Sequence, residues 1–176
     1  HRLRHCDEAR LSMAVNGSLF YDAPGAMTET RHRLKTACPR DVWLTKMAHD
    51  LFYMAQAGQY NYPRCTARKD LGAMTFSKSG FLFSAMQLIH HLNHAYAPFY
   101  KWMHRGLEKL PLLKELKDVL TALSQMPVGD ERIPETIEFI VSRIIAEMKK
   151  EGLTSGEDNY LEHHTENILK GIPALE

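Results

Sequence analysis

One apolar stripe near the C-terminus constrains the fold of this chain more than any other feature. Its apolar residues recur at intervals of three and four, which places them on one face of a helix. Pro134 suits the first turn of that helix, and Gly152 suits its end. The 3.6-residue period outweighs the strand preference of the β-branched residues in it. The stripe consists of Ile133, Ile137, Ile140, Val141, Ile144, Ile145 and Met148.

Further helices are predicted along most of the chain. One begins with Asp41 as its N-cap and ends at Gly58. Another runs from about Asp70 to Tyr96 and is stopped by Pro98; its apolar residues occupy nearly the whole circumference, which indicates a buried helix. The predicted fold class is therefore all-α, a helical bundle around this central buried helix. Shorter helices are expected over residues 28–37, 99–109, 111–125 and 157–170.

A segment near the N-terminus breaks the helical pattern. A turn at Asn16-Gly17 precedes Ser18-Leu19-Phe20-Tyr21, which is typical of a short β-strand. An isolated strand leaves its backbone groups unpaired, so it either forms an edge hairpin or belongs to a sheet upstream. The sequence begins at His1 rather than Met, so we expect a piece of a longer protein. Residues 1–25 are then a remnant or linker of an upstream domain, and residues 26–176 form the helical bundle domain.

Composition argues against several functional classes. The net charge of +1 provides no bulk attraction for nucleic acid or a membrane surface. Three widely spaced cysteines, Cys6, Cys38 and Cys65, form neither a disulfide framework nor a CxxC metal site. The chain shows no signal-peptide pattern and no apolar stretch long enough to span a bilayer. We therefore expect a cytoplasmic protein without nucleic-acid or membrane partners.

No complete catalytic motif is present in the sequence. Nucleophile-elbow, P-loop and dinucleotide-binding patterns do not occur in it. His90 and His94 have the i, i+4 spacing that lets two imidazoles share a metal, but no third ligand is evident nearby. We predict neither catalytic residues nor a metal site. A histidine-dependent metal hydrolase stays open as the weakest alternative.

Two stretches combine amides, aromatic rings and cations. The first runs from Gln56 to Arg64 after a predicted helix end, and the second runs from Asn93 to Trp102 around Pro98. Aromatic faces stack on planar ligands, and Arg or Lys binds anions. The alternative is corner packing, with Lys101 extended toward water. The candidate substrate contacts are Gln59, Tyr60, Asn61, Tyr62, Arg64, Asn93, Tyr96, Lys101 and Trp102.

These two stretches, together with residues 16–22, resemble a bacterial family of unknown function. In that family a helical domain follows a nucleotidyltransferase-like domain. The resemblance covers most of the chain, from about residue 11 to residue 170. Its motifs are fairly specific, because the three stretches match in order and in spacing. It implies a fold related to the helical domains of kanamycin-type nucleotidyltransferases, and it implies that residues 18–21 are the last strand of the nucleotidyltransferase sheet.

The resemblance also implies where chemistry would take place. Nucleotidyltransferases of this kind hold Mg²⁺ and a nucleoside triphosphate with a Gly-Ser turn and an Asp-x-Asp pair. This chain has no Asp-x-Asp, and no acidic pair follows its Gly17-Ser18. We therefore expect a substrate-positioning domain that needs its upstream domain for Mg²⁺, nucleotide and catalysis. The alternative is a non-catalytic helical module that binds a partner protein or forms a homodimer.

Overall fold

The apolar stripe over residues 133–148 forms a buried helix face in a computed structural model that describes residues 2–172. All seven stripe residues are buried, and the helix runs Ile133–Lys150, as the pattern predicts. Pro134 lies in its first turn, and Gly152 follows its end with a φ of 66°. The left-handed φ at Gly152 costs little because glycine has no Cβ.

The regular secondary structure of the described chain is all helical, with no β-strand in residues 2–172. Short 3₁₀ turns lie at Arg2–His5 and Leu107–Lys109, and a π-helical segment lies at Ala55–Asn61. None of the described helices is both long enough and apolar enough to cross a membrane. The α-helices are α1 Glu8–Val15, α2 Ala26–Thr36, α3 Arg40–Met54, α4 Tyr62–Ala67, α5 Leu71–Leu92, α6 Tyr100–Gly106, α7 Leu116–Gln125, α8 Ile133–Lys150 and α9 Leu161–Lys170.

The predicted N-terminal strand is wrong. Residues 18–21 lie between α1 and α2 without regular secondary structure, and Phe20 is 97% exposed. A strand needs a neighbour that pairs with its backbone groups, and the described chain provides none there. Arg31 instead donates to the carbonyl oxygens of Val15, Asn16 and Gly17, which holds this connection against α2.

The core forms mainly where α3 contacts α5 and α9. Asp70 is the N-cap of α5, as a carboxylate that accepts from the backbone N–H of Ala73 at 2.9 Å. The helix ends at Leu92, four residues before the predicted end, and Phe76 is 81% exposed. The prediction that its apolar residues are buried around the whole circumference is therefore wrong at Phe76.

The predicted helix from Asp41 to Gly58 begins and ends differently. Pro39 is the N-cap of α3, whereas Asp41 lies in the first turn and forms an ion pair with Arg4. No break follows α3, because the π-helical segment continues it directly into α4. Gly58 allows the π-helical segment to pack closely against α5, because a Cβ at this position would lie 2.4 Å from the buried Phe81 ring.

Candidate functional site

A groove of about 1180 Å³ lies between α1 and α6. Its walls come from α1, from the turn between α5 and α6, from α6 itself and from the 3₁₀ turn that follows. We call it the α1–α6 groove. The residues that line it include Lys35, His90, Tyr96, Lys101, Trp102, Arg105, Gly106 and Lys109.

The turn at the end of α5 is held by Asn93. Its amide nitrogen donates to the carbonyl oxygens of Ile89 and Leu112, and its amide oxygen accepts from Leu112 N–H at 2.8 Å. His94 then adopts a φ of 51°, which ends the helix. The Asn93 side chain, which was predicted to contact the substrate, therefore forms its hydrogen bonds within the turn.

Tyr96 forms part of the groove wall with its hydroxyl turned inward to the protein. The hydroxyl donates to the Leu34 carbonyl oxygen at 2.9 Å, and the ring stacks on Trp43 with centroids 5.0 Å apart. Burial raises the pKa of Tyr96 far above its usual range. Tyr96 thus lines the groove with a fixed ring and keeps its proton.

Lys101 and Trp102 are the accessible candidates. The Lys101 Nζ atom lies 5.6 Å from the centroid of the Trp102 ring, and Trp102 is 53% exposed. Lys35, Arg105 and Lys109 add positive charge to the same groove. Within residues 2–172, none of these four cations has a carboxylate within ion-pair distance. Glu108, the one carboxylate among the described residues that line the groove, pairs with Lys117.

A buried charge network behind the groove joins α1 to α3 and α5. His91 lies between two carboxylates, with Nδ1 2.6 Å from Asp50 Oδ2 and Nε2 2.9 Å from Glu8 Oε2. The second contact is an ion pair whose angle is poor for a hydrogen bond. The Lys46 ammonium contacts Glu8 and donates to the Cys6 carbonyl oxygen at 3.3 Å. Two positive and two negative groups therefore balance one another.

The charges of this network follow from its geometry. Desolvation by burial lowers the pKa of His91, but the hydrogen bond to Asp50, the close contact with Glu8 and the charges of both carboxylates outweigh it and raise the pKa to about 9. Burial likewise opposes ionisation of Glu8, yet the contacts with His91 and Lys46 lower its pKa overall. His91 is therefore an imidazolium at neutral pH.

The network also sets the position of both groove walls. Glu8 Oε2 accepts from the backbone N–H of Ala97 at 3.2 Å, so one carboxylate of α1 holds the turn before α6. Leu11 anchors α1 further by its burial. None of the network residues is among the site residues predicted from the sequence. The available signal was Lys46 and Asp50, which lie four residues apart within the apolar side of α3.

The other five candidates lie at the π-helical segment and α4, and none of them lines the groove. Tyr62 is buried, and its hydroxyl accepts from the Gly129 backbone N–H at 3.2 Å. The Arg64 guanidinium lies 3.8 Å above the centroid of the Tyr60 ring. Asn61 is partly buried in the same turn. We call the segment from Gln56 to Arg64, with its contacts in α8 and α9, the π-helix corner.

Gln59 is the most heavily bonded residue of the π-helix corner. Its amide nitrogen lies 3.0 Å from Glu138 Oε1 and 2.7 Å from the Asn159 carbonyl oxygen. Its amide oxygen accepts from Leu161 N–H at 3.0 Å, which caps the first turn of α9. Gln59 therefore ties the π-helical segment to α8 and α9, and little of its hydrogen-bonding capacity is left for a ligand.

The pairing of His90 with His94 on one helix face is wrong, because α5 ends before His94. His90 is buried at the base of the groove, whereas His94 follows the turn. Among the residues that the structure describes, no group of three or more His, Cys, Asp or Glu side chains is placed to hold a metal ion.

Comparison with known proteins identifies a family but no individual relative. No curated protein and no solved structure matches this chain. A family model described as a domain of unknown function, DUF4037, matches residues 3–103. The match includes Glu8, Lys46, Asp50 and His91, and it extends through α5 to Trp102. Because it covers more than half of the sequence, this chain belongs to the DUF4037 family.

Proposed function

We propose that this chain is the substrate-positioning helical domain of a nucleotidyltransferase-like protein, and that its substrate binds in the α1–α6 groove. The observation that carries this proposal is the accessible pair Lys101 and Trp102 in a groove with three further unpaired cations among the described residues. The preferred ligand is an anion that carries a planar ring.

The chemistry of the groove supports this ligand class. A cation without a carboxylate partner gains more from a ligand anion, because no internal ion pair has to be broken first. An exposed indole beside it offers a stacking face for a planar ring. The groove volume of about 1180 Å³ is ample for a molecule of nucleotide size.

Catalysis is assigned elsewhere in this proposal. The chain has no Asp-x-Asp pair, so its own residues do not fit a Mg²⁺–triphosphate site. Mg²⁺, nucleotide and the reacting carboxylates would come from the upstream nucleotidyltransferase-like domain. This chain would then bind and orient the molecule that receives the transferred group.

Fewer residues are proposed to contact the ligand than the nine candidates predicted from the sequence. Lys101 and Trp102 are the residues expected to touch the ligand, and Tyr96 shapes the wall behind them. Asn93 positions the turn. The five residues of the π-helix corner are assigned to structure, because their polar groups and rings already have partners or lie outside the groove.

Isothermal titration with three probes tests the proposal. We expect adenosine 5′-monophosphate to bind more tightly than adenosine, which lacks the anion, and than ribose 5-phosphate, which lacks the ring. Lys101→Ala should weaken adenosine monophosphate roughly tenfold, equivalent to about 1.4 kcal/mol. The control Lys114→Ala removes an exposed lysine outside the groove and should have no effect. Equal affinity for all three probes, or no change with Lys101→Ala, would contradict the proposal.

A second candidate function is protein interaction. Phe20 and Tyr21 are 97% and 85% exposed in the connection between α1 and α2, which favours a surface that another chain covers. We propose it as the alternative, with a homodimer or a partner domain as occupant. If wild type is dimeric by light scattering, Phe20→Ser with Tyr21→Ser should shift it toward monomer. A monomeric wild type at high concentration would count against the homodimer.

A further inference from the structure

His90 is a buried histidine that lines the α1–α6 groove. It lies on the last turn of α5 and is 3% exposed. Its Nδ1 atom is 2.8 Å from the Met86 carbonyl oxygen. A carbonyl oxygen only accepts hydrogen bonds, so Nδ1 carries the proton in this contact. The hydrogen bond to Met86 therefore fixes both the ring orientation and the tautomer.

The same hydrogen bond leaves Nε2 with its lone pair. Burial lowers the pKa of His90, and the positive charge of neighbouring His91 lowers it further, which outweighs the opposing hydrogen bond to Met86. The ring is thus neutral, and Nε2 is an acceptor. No group in residues 2–172 donates a hydrogen bond to it. His90 Nε2 is partly accessible. His91 Nε2, which also has no hydrogen-bond partner, is fully enclosed.

Gly106 of α6 leaves open the space beside this lone pair. A Cβ at position 106 would lie 2.8 Å from His90 Nε2 and 3.5 Å from Pro98 Cγ. The backbone of Gly106 is ordinary helix, with φ −59°, so its conformation does not require glycine. His90, Pro98 and Gly106 all line the groove. Glycine here keeps an unpaired acceptor accessible at the base of a cationic groove.

We propose that His90 Nε2 is the hydrogen-bond acceptor of the α1–α6 groove and takes a hydroxyl or amine hydrogen from the ligand whose anionic group meets Lys101. This inference rests on the proposed function and deepens it, because it adds a donor group to the ligand class. An anion with a hydroxyl or amine would then be preferred over the same anion without one. A buried acceptor left unpaired by the wrong ligand is the physical basis of that preference.

Chemical modification tests the open acceptor without any ligand. Diethyl pyrocarbonate acylates accessible, unprotonated imidazole nitrogens, and peptide mass spectrometry locates the product. We expect modification of His90 in the native protein and none of His91, which is protonated between two carboxylates. Gly106→Ala should slow the reaction at His90 roughly tenfold, because its Cβ crowds Nε2.

Gly72→Ala is the matched control for this experiment. Its Cβ would make an ordinary contact of 3.5 Å with Asp70 Oδ1, in the same helix as His90 but at its other end. The rate at His90 should equal that of wild type. If native His90 is not modified, or if Gly106→Ala reacts at the wild-type rate, the open acceptor is disproved.

Ligand binding tests the donor. Adenosine monophosphate and a 2′,3′-dideoxy analogue in which hydrogen also replaces the adenine 6-amino group are titrated into wild type, His90→Leu and His90→Gln. We expect His90→Leu to weaken adenosine monophosphate roughly tenfold, with His90→Gln intermediate since its amide oxygen can accept. The dideoxy analogue should bind all three alike. Equal losses for both ligands would overturn the inference and assign His90 a structural role.

The two experiments separate this inference from the proposed function. If adenosine monophosphate binds and depends on Lys101 but not on His90, the proposed function stands and the acceptor role fails. If no probe binds to wild type, the proposed function fails. The donor-bearing ligand fails with it, whatever the modification rate of His90.

Discussion

The α1–α6 groove and the π-helix corner have similar residues and opposite hydrogen-bonding states. Both contain tyrosine, a side-chain amide and a cation next to an aromatic ring. At the corner, Gln59 donates and accepts within the protein, and the Tyr62 hydroxyl is also bonded. In the groove, Lys101 has no carboxylate partner among the described residues, and His90 Nε2 has no donor.

The difference teaches that composition alone does not identify a binding site. A polar group bonded within the protein has to lose that bond before it can bind a ligand, whereas an unpaired one does not. The corner therefore stabilises the junction of α8 and α9, and the groove retains capacity for a ligand. Three changes test this division, and they follow in order of expected effect.

The largest effect is expected from His91→Leu. The substitution leaves the carboxylates of Asp50 and Glu8 buried without their imidazolium, and breaking a buried ion pair costs about 3–5 kcal/mol. Urea unfolding should show this loss, or no cooperative transition at all. The matched control is the exposed ion pair of His163 with Asp158, in which Nδ1 and Oδ1 lie 3.1 Å apart. His163→Leu should change stability by no more than about 1 kcal/mol. Equal losses in the two variants would contradict the network.

A smaller effect is expected from pH. The pKa of His91 is raised from 6.5 to about 9 in the folded protein, so folding favours its protonated form. This stabilisation is complete below pH 6.5 and is lost as the pH rises through about 9. At about 1.4 kcal/mol per pKa unit, the decline amounts to roughly 3 kcal/mol. Thermal unfolding across this window measures it.

The pH experiment has its control in the same two variants. His163→Leu keeps the buried network and should show the same decline as wild type. If His91→Leu folds, its stability should show little of this decline with pH. A stability that does not fall between the two pKa values would show that His91 is not held as an imidazolium.

The smallest effect is expected from Gln59→Ala. The substitution removes the bonds to Glu138 and Asn159 and uncaps α9, which should cost roughly 1–3 kcal/mol. Gln87→Ala is the control, since Gln87 is partly exposed in α5 and has no hydrogen-bond partner in residues 2–172. Binding of adenosine monophosphate should be unchanged in both. A loss of affinity similar to that of Lys101→Ala would place the corner within the site.

Local patterns predicted the helices better than their ends. The stripe from Ile133 to Met148 identified α8, because apolar residues with this period can be buried together only on one face of a helix. The predicted end of α5 at Tyr96 was wrong, since Asn93 already caps the helix through its hydrogen bonds with the backbone of Leu112. The strand over residues 18–21 was wrong as well, because strand propensity needs a pairing partner to be realised.

The candidate site was predicted in part. Lys101 and Trp102 were recognisable from a cation beside an aromatic ring after a proline turn. Gln59 had a similar signature, but its partners lie about 80 to 100 residues away in sequence, as separations of 79 and 102 show. The charge network of Glu8, Asp50 and His91 was missed for the same reason, since its members lie on three helices.

The sequence by itself determined that this chain is largely helical, where its longest apolar face lies, and that it contains no Asp-x-Asp pair. Only the tertiary structure decided which polar groups remain unpaired. Gln59 and His91 form hydrogen bonds and ion pairs with residues distant in sequence, so their polar groups are already bonded within the protein. Lys101 and His90 Nε2 have no such partner and line the groove. Periodicity follows from neighbours along the chain, whereas the pairing of polar groups depends on neighbours in space.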